Sequence, residues 1–125
     1  MKNLIIDAGK DKIFFNIISN NKSYTSEYVN NRENFDKILI LLFEFLELKN
    51  IKIDEITNVF VNQGSGKFSG IRASLAIAKG LRFAKNVDIY GFNSHQVIDN
   101  KYEKIIDLFN NGLLKKNLIK PSYSS

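Results

Sequence analysis

Gly64-Ser65-Gly66-Lys67-Phe68-Ser69-Gly70-Ile71-Arg72 is the stretch on which the fold of this chain turns. Ahead of it, Thr57 to Asn62 reads as a strand; behind it, Phe68 to Ala84 carries apolar residues at helical spacing and reads as a helix. A further strand, Val87 to Gly91, completes a β-α-β unit, whose two strands must be parallel and whose crossover is expected to be right-handed. Two nucleotide-binding loops share this layout, and neither fits. A P-loop needs a glycine five positions before the Gly of Gly-Lys and a hydroxyl straight after the Lys; Val61 and Phe68 stand there. The dinucleotide fingerprint needs its third glycine where Ser69 stands. The bland reading is a strand-to-helix connection with backbone at positive φ, and anion binding at the helix N-terminus is the functional alternative.

Upstream, Leu4 to Asp7, Ile13 to Ile18 and Ser23 to Val29 read as three strands of an antiparallel meander. Ala8-Gly9-Lys10-Asp11 and Asn20-Asn21 supply the turn residues between them. Asn31 to Lys49 is rich in Leu, Phe, Glu and Lys and reads as one helix of about four turns, with Asn31 or Asn34 as its cap. Joining the meander to the β-α-β half predicts an α/β domain with a mixed five-stranded sheet of order 3-2-1-4-5. A third helix is expected from Ser94 to Asn110 with Gly112 ending it, then a short docked helix over Leu113 to Ile119. Pro121 to Ser125 is expected to be a disordered tail.

Composition narrows the chemistry. At 125 residues the chain has room for one core. It contains no Cys and a single His, His95, which removes disulfides, thiolate nucleophiles and a zinc ligand set. The net charge of +5 permits an acidic partner without demanding nucleic acid. Lys outnumbers Arg 15 to 3, a bias that fits AT-rich codons better than function. The first apolar run, Leu4 to Ile6, is too short for a secretory signal, and the longest, Ile38 to Phe43, is far below the ~20 residues of a membrane span. The expectation is a cytoplasmic protein with no membrane partner.

Read as one string, Gly64 to Leu81 resembles the GPGSFTGLRIGLATAKGLA signature of the TsaB family, also called YeaZ. The resemblance rests on Gly64, Gly66, Phe68, Gly70, Arg72, Leu75, Ala76, Ala78, Lys79, Gly80 and Leu81, with Ser65, Lys67 and Ser69 in place of Pro, Ser and Thr. Leu4 to Asp7 looks like the family's opening strand, and Ile89 to Ser94 like the strand before its third helix. The resemblance covers roughly residues 1–99 and implies an actin-like, RNase-H-like (ASKHA) domain. Family members usually carry a second domain of similar size, for which this length leaves no room, so one domain over residues 1–120 is expected. In that superfamily an Asp-x-Gly-x-Thr turn grips ATP; here Asp7-Ala8-Gly9-Lys10-Asp11 puts an acid where the hydroxyl belongs. The resemblance therefore implies no cofactor and no catalysis by the chain alone. It implies an accessory subunit of the machinery that makes threonylcarbamoyladenosine in tRNA, supporting a TsaD-like catalytic subunit, with a TsaE-like ATPase as a further partner and tRNA contact only within the complex.

The helices support a partner role independently. On a 100° wheel Phe35, Leu39, Leu42, Phe43 and Leu46 share a broad side with Ile38 and Phe45, and Leu41 and Leu48 extend it to an arc of about 220°, more than one sheet contact requires. A second neighbour is needed: either another chain, or the apolar C-terminal segment Ile105 to Leu114 folding over it. Ser69, Ala73, Ala76, Gly80 and Ala84 form a small-residue ridge on the next helix, and Gly80 costs that helix about 1 kcal/mol that close packing should return. The interface carried over from the family is therefore Phe35, Leu39, Leu42, Phe43, Leu46, Ser69, Arg72, Ala73, Ala76 and Gly80, with Gly64, Gly66, Phe68 and Gly70 as the motif turn, and a homodimer through the same helices as the alternative. The basic stretch Lys67, Arg72, Lys79, Arg82 and Lys85 contains no acid and reads equally as a solvated face or as one meeting an acidic partner or tRNA. The competing reading from another class is a small nucleotide-binding or phosphotransfer enzyme using Asp7 and the Gly64 to Gly66 turn.

Overall fold

The computed structural model describes residues 2–20, 22–64, 66, 68–99 and 101–117. Strands β1 (Lys2–Asp7), β2 (Lys12–Ser19) and β3 (Lys22–Val29) form the antiparallel meander. Asn20 takes a φ of 54° in the second turn, the left-handed conformation that Asn tolerates better than most side chains. β4 (Ile56–Gly64) and β5 (Asp88–Asn93) run parallel to β1 and to each other. The sheet order is 3-2-1-4-5 as expected, but a sixth strand, β6 (Lys115–Lys116), adds antiparallel to β5. The short helix expected over Leu113 to Ile119 gives way to this strand. Asn117 is the reason: its backbone N–H donates to Ile89 O at 2.8 Å and its side-chain Oδ1 accepts from Ile89 N–H at 3.0 Å, so the segment satisfies the open edge of β5.

Alternation along the strands divides the core into two layers. Leu4 and Ile6, Ile13, Phe15 and Ile17, and Val59 and Val61 face one side, while Ile5, Phe14, Ile18 and Phe60 face the other. Both sides are covered, which is why β1 is an almost unbroken apolar run. The first side packs against α1 (Arg32–Asp36), α2 (Ile38–Leu48) and α3 (Phe68–Lys85); the second packs against α4 (Glu103–Asn110) and the segment before it.

Three helical expectations change. The helix over Asn31 to Lys49 is broken at Lys37, where φ is −120° and ψ 24°; Asn31 caps the first piece by accepting from Asn34 N–H at 2.8 Å. The third helix does not run from Ser94: a single 3-10 turn at Ser94–Gln96 is followed by irregular chain, and α4 starts only at Glu103. Gln96 explains the interruption, since its side-chain oxygen accepts from Asn93 N–H at 2.7 Å and closes the turn on itself. Gly112 ends α4 as expected, with Leu113 N–H reaching back to Leu108 O at 2.9 Å. The expected tail, 121–125, lies outside the described residues.

The motif turn is held by contact between backbones. A Cβ on Gly70 would sit 1.6 Å from the carbonyl oxygen of Ala8, and one on Gly66 would sit 2.7 Å from that of Gly9. The start of α3 therefore lies directly on the β1–β2 turn. Gly80, in the same helix, has nothing within 4 Å of where its Cβ would be. Gly70→Ala is expected to destabilise the fold by about 3 kcal/mol or more, since backbone must move, whereas Gly80→Ala gains up to about 1 kcal/mol from helix propensity. Urea denaturation of the two variants checks this, and equal midpoints would contradict the backbone contact.

Candidate functional site

Two regions carry the residues singled out in the sequence. The first is the end of β1. Asp7 is fully buried on the α4 side of the sheet. A buried carboxylate costs several kcal/mol unless it is paired and hydrogen-bonded, and Asp7 is surrounded by donors. Its Oδ1 accepts from Asn62 Nδ2 at 2.9 Å and from Gly9 N–H at 3.3 Å; its Oδ2 accepts from the Tyr102 hydroxyl at 2.9 Å and lies 3.6 Å from Lys10 Nζ. Asn62 extends the network, donating to Ser94 Oγ at 2.9 Å and accepting from Gly64 N–H at 2.9 Å. Gly64, at a φ of 145°, lets the chain leave β4 immediately after that bond. Lys10 lies over the Tyr102 ring and also donates to Val97 O at 3.2 Å.

This network joins the ends of β1, β4 and β5 to the segment leading into α4. Burial, followed by the charge and hydrogen bond of Asp7, pushes the Tyr102 phenol far above its ordinary value of 10.0. With both Asp7 oxygens occupied by this chain's own donors, the carboxylate is built in as a joint. That arrangement speaks against the phosphotransfer reading, which needs Asp7 open to a ligand. Sequence reasoning missed Tyr102, which lies 95 residues from Asp7 and was placed inside a continuous helix.

The second region is the outer face of α2 and α3. The structure splits the expected interface. Leu42 and Leu46 are in the core with Ile38, Leu41 and Phe45, and so are removed from any partner surface. Phe35 is half-buried against the same core. Leu39 and Phe43 remain exposed and, with Ala76, Ile77, Gly80, Leu81 and Ala84 of α3, line an apolar groove of about 470 Å³. Ser69 and Arg72 lie on the exposed side of α3 and Ala73 is half-buried. Phe68 opens α3, and Gly64, Gly66 and Gly70 form the turn described above. The apolar C-terminal segment does not cover the groove: Ile105, Ile106, Phe109 and Leu114 pack on the opposite side of the sheet. Ile40 and Phe83, exposed at 58% and 95%, belong to the same outer surface and were not anticipated. His95 is half-buried in the turn before α4. Among the described residues no cluster of acids and His could hold a metal, and no helix is long and apolar enough to cross a membrane.

No protein-family model matches the chain. Two curated proteins do: the tRNA threonylcarbamoyladenosine biosynthesis proteins TsaB of two Buchnera aphidicola subspecies. That of Schizaphis graminum is 27% identical over 92 residues, 74% of this chain and 40% of the relative; that of Baizongia pistaciae is 24% identical over 84 residues, 67% and 38%. Among solved structures, YeaZ from Pseudomonas aeruginosa superposes with a TM-score of 0.73 at 14% identity, over 85% of this chain and 50% of that one. This chain belongs to the TsaB/YeaZ family. The sequence spans about two fifths of the length of its curated TsaB relatives. RuvC from Thermus thermophilus, solved in complex with a Holliday junction substrate, superposes at a TM-score of 0.61 and 12% identity over 93% of this chain and 99% of that one, which places the TsaB-type domain in the RNase-H-like fold.

Tyr102→Phe in this TsaB-type domain leaves Asp7 Oδ2 short of its neutral donor and is expected to cost about 1–3 kcal/mol. It also changes the alkaline limb. The folded phenol titrates above 10.0 and the unfolded one near it, so its contribution is present below pH 10 and is lost as the pH rises further, by up to about 1.4 kcal/mol per pH unit. Urea melts from pH 9 to pH 11 (about one unit either side of the phenol value) should show wild type losing stability faster than Tyr102→Phe. Parallel losses would contradict the buried phenol.

Proposed function

We propose that this chain is a non-catalytic accessory subunit in the synthesis of threonylcarbamoyladenosine in tRNA, and that it binds and supports a TsaD-like catalytic subunit. The observation that carries the reading is the uncovered α2–α3 groove in a chain whose curated relatives are TsaB proteins. Exposed apolar surface of this kind marks association sites, and Gly80 adds a second sign. Its cost to α3, about 1 kcal/mol, is returned by no contact within the described chain, so close approach by another chain is what it suits. The interface we assign is Leu39 and Phe43 of α2 with Ser69, Arg72, Ala73, Ala76 and Gly80 of α3. A TsaE-like ATPase would join through the catalytic subunit, tRNA would be met only in the assembled complex, and the cytoplasm is the compartment such a role requires.

The occupied Asp7 favours this reading over a nucleotide-processing enzyme, because ATP would have to displace Tyr102, Asn62 or Lys10. Gel filtration of the chain mixed with the TsaD protein of the same source tests the assignment. A mixed complex is expected. Gly80→Leu, whose side chain enters open space in the groove and improves helix propensity, should abolish co-elution while leaving thermal unfolding unchanged or slightly raised. Co-elution retained by Gly80→Leu would exclude the groove as the interface, and no complex with the wild-type chain would exclude the partner.

A further inference from the structure

The groove has two flanks of opposite charge. On α2, Leu39 and Phe43 face α3, while Glu44 lies 100° further round the helix and shares a separate depression with Glu47 and Leu48. On α3, Ala76, Gly80 and Ala84 face α2, while Lys79 and Arg82 project from the other side of the helix. Glu44, Glu47, Lys79 and Arg82 are all exposed, and none is in an ion pair within the described chain, although six such pairs form elsewhere. Phe83, exposed at 95%, stands between the apolar groove and the basic flank.

From this arrangement we infer that the groove takes a helical partner surface in one orientation only: an apolar centre with a recess for Phe83, an acidic side over α3 and a basic side over α2. The inference rests on the proposed function for the partner's identity and adds its chemistry and orientation. Rotating such a partner by half a turn about the normal to the face would set its acids on Glu44 and Glu47 and its bases on Lys79 and Arg82, and like charges brought together at an interface are costly. Rim charges of this kind act on encounter and register, while a large aromatic at the centre acts on residence time.

The test uses the full chain and the TsaD protein of the same source, with association and dissociation rates measured at low and high salt. Lys79→Glu with Arg82→Glu, and separately Glu44→Lys with Glu47→Lys, should each slow association about ten-fold at low salt, with the difference shrinking as salt screens the flanks. Phe83→Ala should raise the dissociation rate by about 30-fold or more with unchanged thermal unfolding, since the ring makes no contribution to the core. Binding by the wild-type chain with no change in either charge variant overturns the orientation and leaves the accessory role standing. No binding by the wild-type chain overturns the accessory role itself, and self-association in place of a mixed complex overturns the partner chemistry inferred here.

Discussion

Everything at the working end of this domain depends on the backbone of α3 lying against the backbone of the β1–β2 turn. Gly70 sits where any side chain would overlap the Ala8 carbonyl, and Gly66 backs onto Gly9 in the same way. Removing two Cβ atoms lets the helix start close to the sheet, so that Ile71, Leu75 and Ala78 reach the core at full burial or nearly so. The same contact carries β4 into α3 through Gly64, whose amide is held by Asn62. A glycine-rich turn is commonly a phosphate cradle; here the glycines admit protein backbone.

The buried Asp7 is the other half of that junction. In an open site a carboxylate at the end of the first strand would be a candidate for ligand chemistry. In this chain Tyr102, Asn62, Gly9 and Lys10 complete its coordination, with donors drawn from four parts of the sequence. The network ties the α4 layer to the strand ends, and its cost in desolvation is offset only because every donor is in place. This gives the domain a rigid back, and the opposite layer presents α2 and α3 to the outside with an apolar groove between them.

Much of the fold could be read from residue order, and the reasons differ by element. The alternation in β2 and β3, the apolar run of β1, and the strand, glycine turn and helix around Gly64 are local patterns with one physical solution each, and the strand order follows from connection rules. The errors fell where a local pattern competes with a distant partner. Lys115 and Lys116 look nothing like a strand, yet Asn117 binds the edge of β5. Ser94 to Lys101 has helical composition, but Gln96 and Asn93 close a separate turn. On α2 a 220° apolar arc could not show which residues meet the sheet, so Leu42 and Leu46 looked as available as Leu39 and Phe43.

The order of residues by itself determined the α/β class, the mixed sheet, the small-residue face of α3 and the resemblance to the TsaB family, because all of these are properties of spacing along the chain. Tertiary structure alone decided that Asp7 is sealed by Tyr102, that Gly70 meets the Ala8 carbonyl, and that Leu39, Phe43, Gly80 and Phe83 are left on the outside. Those are facts about which residues far apart in sequence become neighbours in space. Spacing along a strand or helix sets the direction in which a side chain points; the packing of whole layers determines what it meets there.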